Sequence, residues 1–145
     1  MTPKIKVTDN KIETVRSRLT DSIEIASFYR HHYKVGRTDL TRANHILQFA
    51  AIGYTKGYQV DAHLHNPLPR QTIGTSECWV VIKGKVKVNL FDTDNKFLFT
   101  TFLRKGDAAI FYSGGHSLEV ISRKVQIYEL KNGPYEGDIL DKKQI

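Results

Sequence analysis

The residues that offer chemistry in this chain lie close together. His63 and His65 stand two apart in Gly57-to-Gly84, GYQVDAHLHNPLPRQTIGTSECWVVIKG, and Glu77 opens the apolar run Glu77-Cys-Trp-Val-Val-Ile82 that follows. In an extended strand alternate side chains share a face, so His63 and His65 point the same way, about 7 Å apart, with Leu64 opposite. Two imidazoles so placed can grip one metal ion. An antiparallel return after the Asn66-to-Ser76 loop brings the Glu77 carboxylate beside them. His116 is the candidate third imidazole, because Ser113-Gly114-Gly115 permits a tight turn just before it.

Three imidazoles and one carboxylate leave one or two positions open on an octahedral ion. Such a set suits a divalent metal ion, Fe, Mn, Ni or Zn, and affinity order alone does not choose among them. An open position polarises a substrate oxygen or, on a redox-active ion, takes dioxygen. For a base near the pocket the candidates are Glu119, Tyr112 and Tyr54. Lys56, Arg70 and Gln71 are placed to approach an anionic substrate.

The spacing of these residues resembles the cupin superfamily. Its first motif runs Gly, five residues, His-x-His, a spacer, Glu, six residues, Gly, and Gly57, His63, His65, Glu77 and Gly84 occupy those places. Gly106, Gly114 and His116 resemble the second motif. The chain departs from the pattern in an eleven-residue spacer between His65 and Glu77, in Tyr112 where proline is usual, in His116 one residue early, and in Val120 where asparagine is usual. The tail Gly133-Pro-Tyr-Glu-Gly137 is similar to that of small bacterial cupins, some associated with surface-polysaccharide biosynthesis. The resemblance implies a metal-dependent isomerase or epimerase acting on a small polar substrate such as a sugar or nucleotide sugar. The alternatives are a non-catalytic ligand-binding cupin and a cupin dioxygenase. It also implies a homodimer.

The elements that must position these groups read as strands. Lys83 to Asp92 alternates, with Val86, Val88 and Leu90 on one face and Lys85, Lys87 and Asn89 on the other. Asp92-Thr-Asp-Asn95 is a hairpin turn, Phe97 to Leu103 returns, and Lys105-Gly-Asp107 turns again before Ala108 to Tyr112. Leu118, Val120, Val125 and Ile127 alternate about a turn at Ser122-Arg-Lys124. His45 to Tyr54 is a further apolar run, and Arg37 to Arg42 reads as a turn. Strands at this spacing predict an all-β single domain, a double-stranded β-helix or jelly-roll barrel over residues 45–131. Residues 1–44 form an N-terminal extension, irregular or partly helical because Ile12, Val15, Arg16 and Leu19 sit near helical spacing, and residues 132–145 form a C-terminal tail.

Composition narrows the function classes. A chain of 145 residues suits one domain. Its net charge of +7 is scattered along the sequence without a zinc-finger, helix-turn-helix or aromatic RNA-binding signature, so no nucleic-acid partner is expected, whereas an anionic small-molecule ligand needs only a few cations. The polar, lysine-bearing stretch from Met1 to Asn10 and the lack of a long apolar run predict no membrane partner and a cytoplasmic location. The single cysteine, Cys78, sits in an apolar run and reads as a buried thiol.

Overall fold

The structure, a computed structural model, describes residues 2–8 and 11–145. Met1, Asp9 and Asn10, part of the polar N-terminal stretch, lie outside the described residues. The fold is all-β. Its strands are β1 (Lys4–Val7), β2 (Ile12–Arg16), β3 (Glu24–Tyr29), β4 (Gly36–Asp39), β5 (Ala50–Gly53), β6 (Glu77–Lys83), β7 (Lys85–Phe91), β8 (Phe97–Arg104), β9 (Ala108–Phe111), β10 (Gly115–Val120) and β11 (Gln126–Lys131), followed by one helical turn, α1 (Asp138–Asp141). All pairings are antiparallel, in sheets ordered β1-β2-β3-β9-β6-β11, β10-β7-β8 and β4-β5. Among the described residues no helix is long and apolar enough to cross a membrane.

The small sheet lies against one face of the large one. Val86, Val88, Leu90 and Leu103 from β7 and β8 pack on Val15, Ala26, Phe28, Val81, Ala109 and Phe111. Each fully buried aliphatic or aromatic side chain here contributes about 1.5–3 kcal/mol over an exposed one. The opposite face of the large sheet is covered as well: Leu40, Leu47 and Phe49 close over Ile12, Tyr29, Cys78, Ala108 and Ile110. Strands β6 and β9 are therefore apolar on both faces. Strand β7 alternates because only one of its faces is covered. Cys78 is buried, and that burial pushes its thiol up to about 12.

Four expectations are corrected by the structure. Ile12 and Val15 belong to a strand and not to a helix. They fall on opposite faces of β2, Ile12 in one core and Val15 in the other, so double-sided burial imitates helical spacing. The expected turn over residues 37–42 is half strand, since β4 pairs with β5 through Gly36↔Gly53 to Asp39↔Ala50. The His45-to-Tyr54 run supplies only β5, because the Gln48 side chain caps the carbonyls of Arg42 (3.1 Å), Ala43 (3.4 Å) and His45 (2.6 Å) and curls the segment before it. Residues 54–76 contain no strand, so the extended conformation expected around His63 and His65 has no ladder to hold it.

Candidate functional site

The site is an ion-pair centre at one open margin of the sandwich, built by cross-strand register. Glu77 heads β6 and faces the small sheet with Trp79 and Val81. Register aligns Lys131, Glu77 and Phe111 in one row across β11, β6 and β9, with Glu129 and Trp79 in the next. His116 on β10 lies opposite Leu90, whose side chain is in the core, so its imidazole descends from the small sheet onto this row.

The imidazole sits between aromatic walls. Its ring stacks on Phe111 with centroids 3.9 Å apart and planes 12° from parallel, and it meets Trp79 edge-on at 5.0 Å. His116 Nε2 lies 3.6 Å from Glu77 Oε1, and Lys131 Nζ lies 3.7 Å from Glu77 Oε2. The ammonium is shared further with Glu129 (3.2 Å) and Asp141 (3.8 Å), while Trp79 Nε1 donates to Glu129 Oε2 at 3.3 Å. Glu77 is only 8% exposed. Burial pushes its carboxyl up, but contacts to His116, then Glu129 and Lys131, outweigh burial and bring it to about 2.

Glycine makes the approach of His116 possible. Gly114 has φ +67°, and a Cβ there would stand 2.3 Å from the Phe91 carbonyl oxygen, so the turn entering β10 accepts no side chain. The C-terminal tail then straps the margin. The Ser76 amide donates to Asn132 Oδ1 (2.7 Å), Asn132 Nδ2 donates to the Gly74 carbonyl (3.1 Å), and Thr75 Oγ1 donates to Asp141 Oδ1 (2.8 Å). Ile145 reaches across to Gly115, the neighbour of His116.

The structure thus brings Glu77 and His116 together and leaves His63 and His65 apart from them. These two histidines lie in the exposed 54–76 segment with rings 5.2 Å apart, His63 Nδ1 standing 2.9 Å from the Asp61 carbonyl oxygen. Among the described residues no three metal-ligating side chains gather. Lys56, Arg70 and Gln71 are exposed on the same segment. Tyr54 stacks on Tyr58 at 4.1 Å. Glu119 pairs with Lys87 on the outward face of β10.

Tyr112 contacts the second core beside His45, 4.1 Å away, with burial pushing its hydroxyl up to about 12. A second ionic group lies near it, where Glu24 binds Arg16 (2.8 Å), Arg42 (2.8 Å) and His45 (3.2 Å). Two guanidinium partners already hold that carboxylate. Sequence reasoning missed Trp79, Phe111, Glu129 and Lys131 at the first centre. Their signal was parity: Trp79 shares its face with Glu77, and Glu129 and Lys131 share theirs with the core residue Ile127. Compared with protein-family models, curated proteins and solved structures, the chain matches none of them.

Proposed function

We propose that the Glu77–His116 margin is the pocket of a metal-binding jelly-roll barrel of the cupin kind, acting on a small polar substrate such as a sugar or nucleotide sugar. The observation that carries this reading is the meeting of His116 with an ionised, buried Glu77 between Phe111 and Trp79. Donors in adjacent positions on an ion with bonds near 2.1 Å stand about 3 Å apart. The observed separation, 3.6 Å, is wider than that by about 0.6 Å. A bound divalent ion would polarise a hydroxyl or carbonyl oxygen of the substrate.

The remaining ligands are assigned to His63 and His65. From Tyr58 to His65 the chain alternates without a break, Tyr58, Val60, Ala62 and Leu64 against Gln59, Asp61, His63 and His65. That is the pattern of a half-buried strand. Among the described residues, the outer edges of β10 and β11 flank the margin without a neighbouring strand. Pairing of 58–65 on the β10 edge with its histidines inward closes the barrel and adds both imidazoles to His116 and Glu77.

Within the pocket, Trp79 and Phe111 wall the His116 imidazole, and Lys131 would orient an anionic substituent. A non-catalytic ligand-binding cupin is the second reading. It is favoured by Glu119, which points away from the pocket into its pair with Lys87, and by Tyr112, which packs in the second core. The exposed apolar side chains Tyr128 and Leu130 on β11 suit a homodimer contact.

Trp79 is the sole tryptophan and touches His116, so its fluorescence reports on the site. Titration with Fe(II), Mn(II), Ni(II) or Zn(II) is expected to change that fluorescence with saturation at one ion per chain, and His116→Ala is expected to abolish the response. A flat signal for all four ions contradicts the metal assignment. Conversion of activated sugars followed by NMR then separates enzyme from binding protein.

A further inference from the structure

The basic residues scattered through the sequence are gathered by the topology at the other end of the sandwich. Glu77 and His116 lie at the starts of β6 and β10. Lys83 ends β6, and Ser122, Arg123 and Lys124 form the turn after β10. Six residues of strand separate the two ends, about 20 Å. At this far end the β6–β7 and β10–β11 turns touch. A Cβ on Gly84, φ +85°, would lie 2.5 Å from the Lys124 carbonyl oxygen, and the Ile121 and Ser122 amides donate to the Lys85 carbonyl at 3.0 and 3.2 Å.

Between the turns opens a cleft of about 520 Å³ lined by Lys83, Gly84, Ser122, Arg123 and Lys124. The β8–β9 turn adds Arg104 and Lys105 alongside, since Arg104 is the register partner of Lys85 and the Gly106 amide donates to the Val81 carbonyl at 2.7 Å. The side chains of Lys83, Arg104, Lys105, Arg123 and Lys124 have no acidic partner among the described residues. By contrast, Arg16, Arg18 and Arg30 elsewhere each hold a carboxylate within 3.0 Å. Asp107, the nearby acid, is engaged by the His31 amide (2.9 Å) and the Arg104 amide (3.0 Å), and Arg30 stands 3.5 Å from it.

We propose that this cleft is an anion site for the diphosphate or triphosphate group of a small ligand. Three unpaired cations and a hydroxyl line this one shallow, solvent-open cleft. Guanidinium and ammonium groups on two rigid turns supply charge-assisted hydrogen bonds to phosphoryl oxygens from both sides. The cations cluster around a cleft and are not drawn out in a stripe, which favours a compact anion over a nucleic-acid strand. The site stands independently of the Glu77–His116 pocket.

Isothermal titration of the intact protein with inorganic pyrophosphate and tripolyphosphate tests it. One saturable site per chain is expected, tighter for tripolyphosphate and weakened by added salt. Lys83→Gln combined with Arg123→Gln is expected to weaken binding about tenfold or more, as is Arg123→Gln with Lys124→Gln. Lys6→Gln on the far strand β1 leaves it unchanged, and thermal melts confirm that the variants fold. No saturable binding in the millimolar range overturns the proposal, and so does equal binding by wild type and both double variants. Length-dependent binding of single-stranded oligonucleotides without pyrophosphate binding overturns it in favour of a nucleic-acid surface.

Discussion

Replacing Asp92 by alanine is expected to lower the unfolding free energy by about 2–4 kcal/mol, because two buried amides are left without an acceptor. Asp92 is 0% exposed and begins the β7–β8 turn. Its Oδ2 accepts from the Arg18 amide at 2.9 Å, its Oδ1 accepts from the Thr93 amide at 2.8 Å, and the Arg18 guanidinium stands 3.7 Å away. Arg18 also donates to Asp94 at 2.6 Å and to the Phe97 carbonyl at 3.3 Å. This cluster ties the β2–β3 loop of the large sheet to a hairpin of the small one. Without the carboxylate, the Arg18 and Thr93 amides lose their acceptor, and the Arg18 guanidinium keeps Asp94 and the Phe97 carbonyl.

The sign of the pH dependence follows from the same contacts. Burial pushes the Asp92 carboxyl up, but hydrogen bonds from Ser17 and the Thr93 and Arg18 amides, with the Arg18 charge, hold it below the usual carboxylate range. A carboxyl with a depressed folded value contributes stability above its unfolded pKa, near 3.9, and loses it as pH falls through the folded value. Urea unfolding at neutral pH measures the cost of Asp92→Ala. A loss below about 1 kcal/mol would mean that the tie does not hold the layers together.

Glu77→Gln is expected to cost about 2 kcal/mol at neutral pH and to flatten the acid limb of the stability curve. Glu77 is brought from an unfolded value near 4.3 to about 2, so its contribution is complete above about pH 4.5 and disappears as pH falls toward 2. In the variant that pH window should show a shallower decline, measured as urea midpoints from pH 7 to pH 2. Lys131 makes the neutral-pH cost specific, because Glu77→Gln leaves its ammonium without one of its three carboxylates in a largely buried site. An acid limb as steep in Glu77→Gln as in the wild type would show that His116 and Lys131 do not hold this carboxylate ionised.

The parts of this molecule legible in one dimension are those governed by near neighbours. The alternation of Val86, Val88 and Leu90 gave β7, and Asp92 to Asn95 gave the following turn, where Asn95 has φ +64°. Glu77 and His116 were recognisable as chemistry because of their types and the glycines around them. Strand β2 was obscured because cores on both faces require apolar residues at both parities, and β4 because its partner β5 lies eleven residues on. The aromatic walls and Lys131 depend on register between β6, β9 and β11, which spacing along the chain does not encode. The basic cleft was missed for the same reason. Lys83 and Lys124 are 41 residues apart in sequence and share one cleft only after β10 pairs with β7 and β11 with β6.

The most direct test of the pocket is the metal content of the purified, untagged protein by elemental mass spectrometry, beside a His63→Ala/His65→Ala variant and a Glu77→Gln/His116→Ala variant. Near-stoichiometric Fe, Mn, Ni or Zn in the wild type, lost in both variants, is the predicted result. It would place the two loop histidines and the Glu77–His116 pair on the same ion. No metal in the wild type even after reconstitution, or metal retained at full occupancy in the Glu77→Gln/His116→Ala variant, would contradict the account.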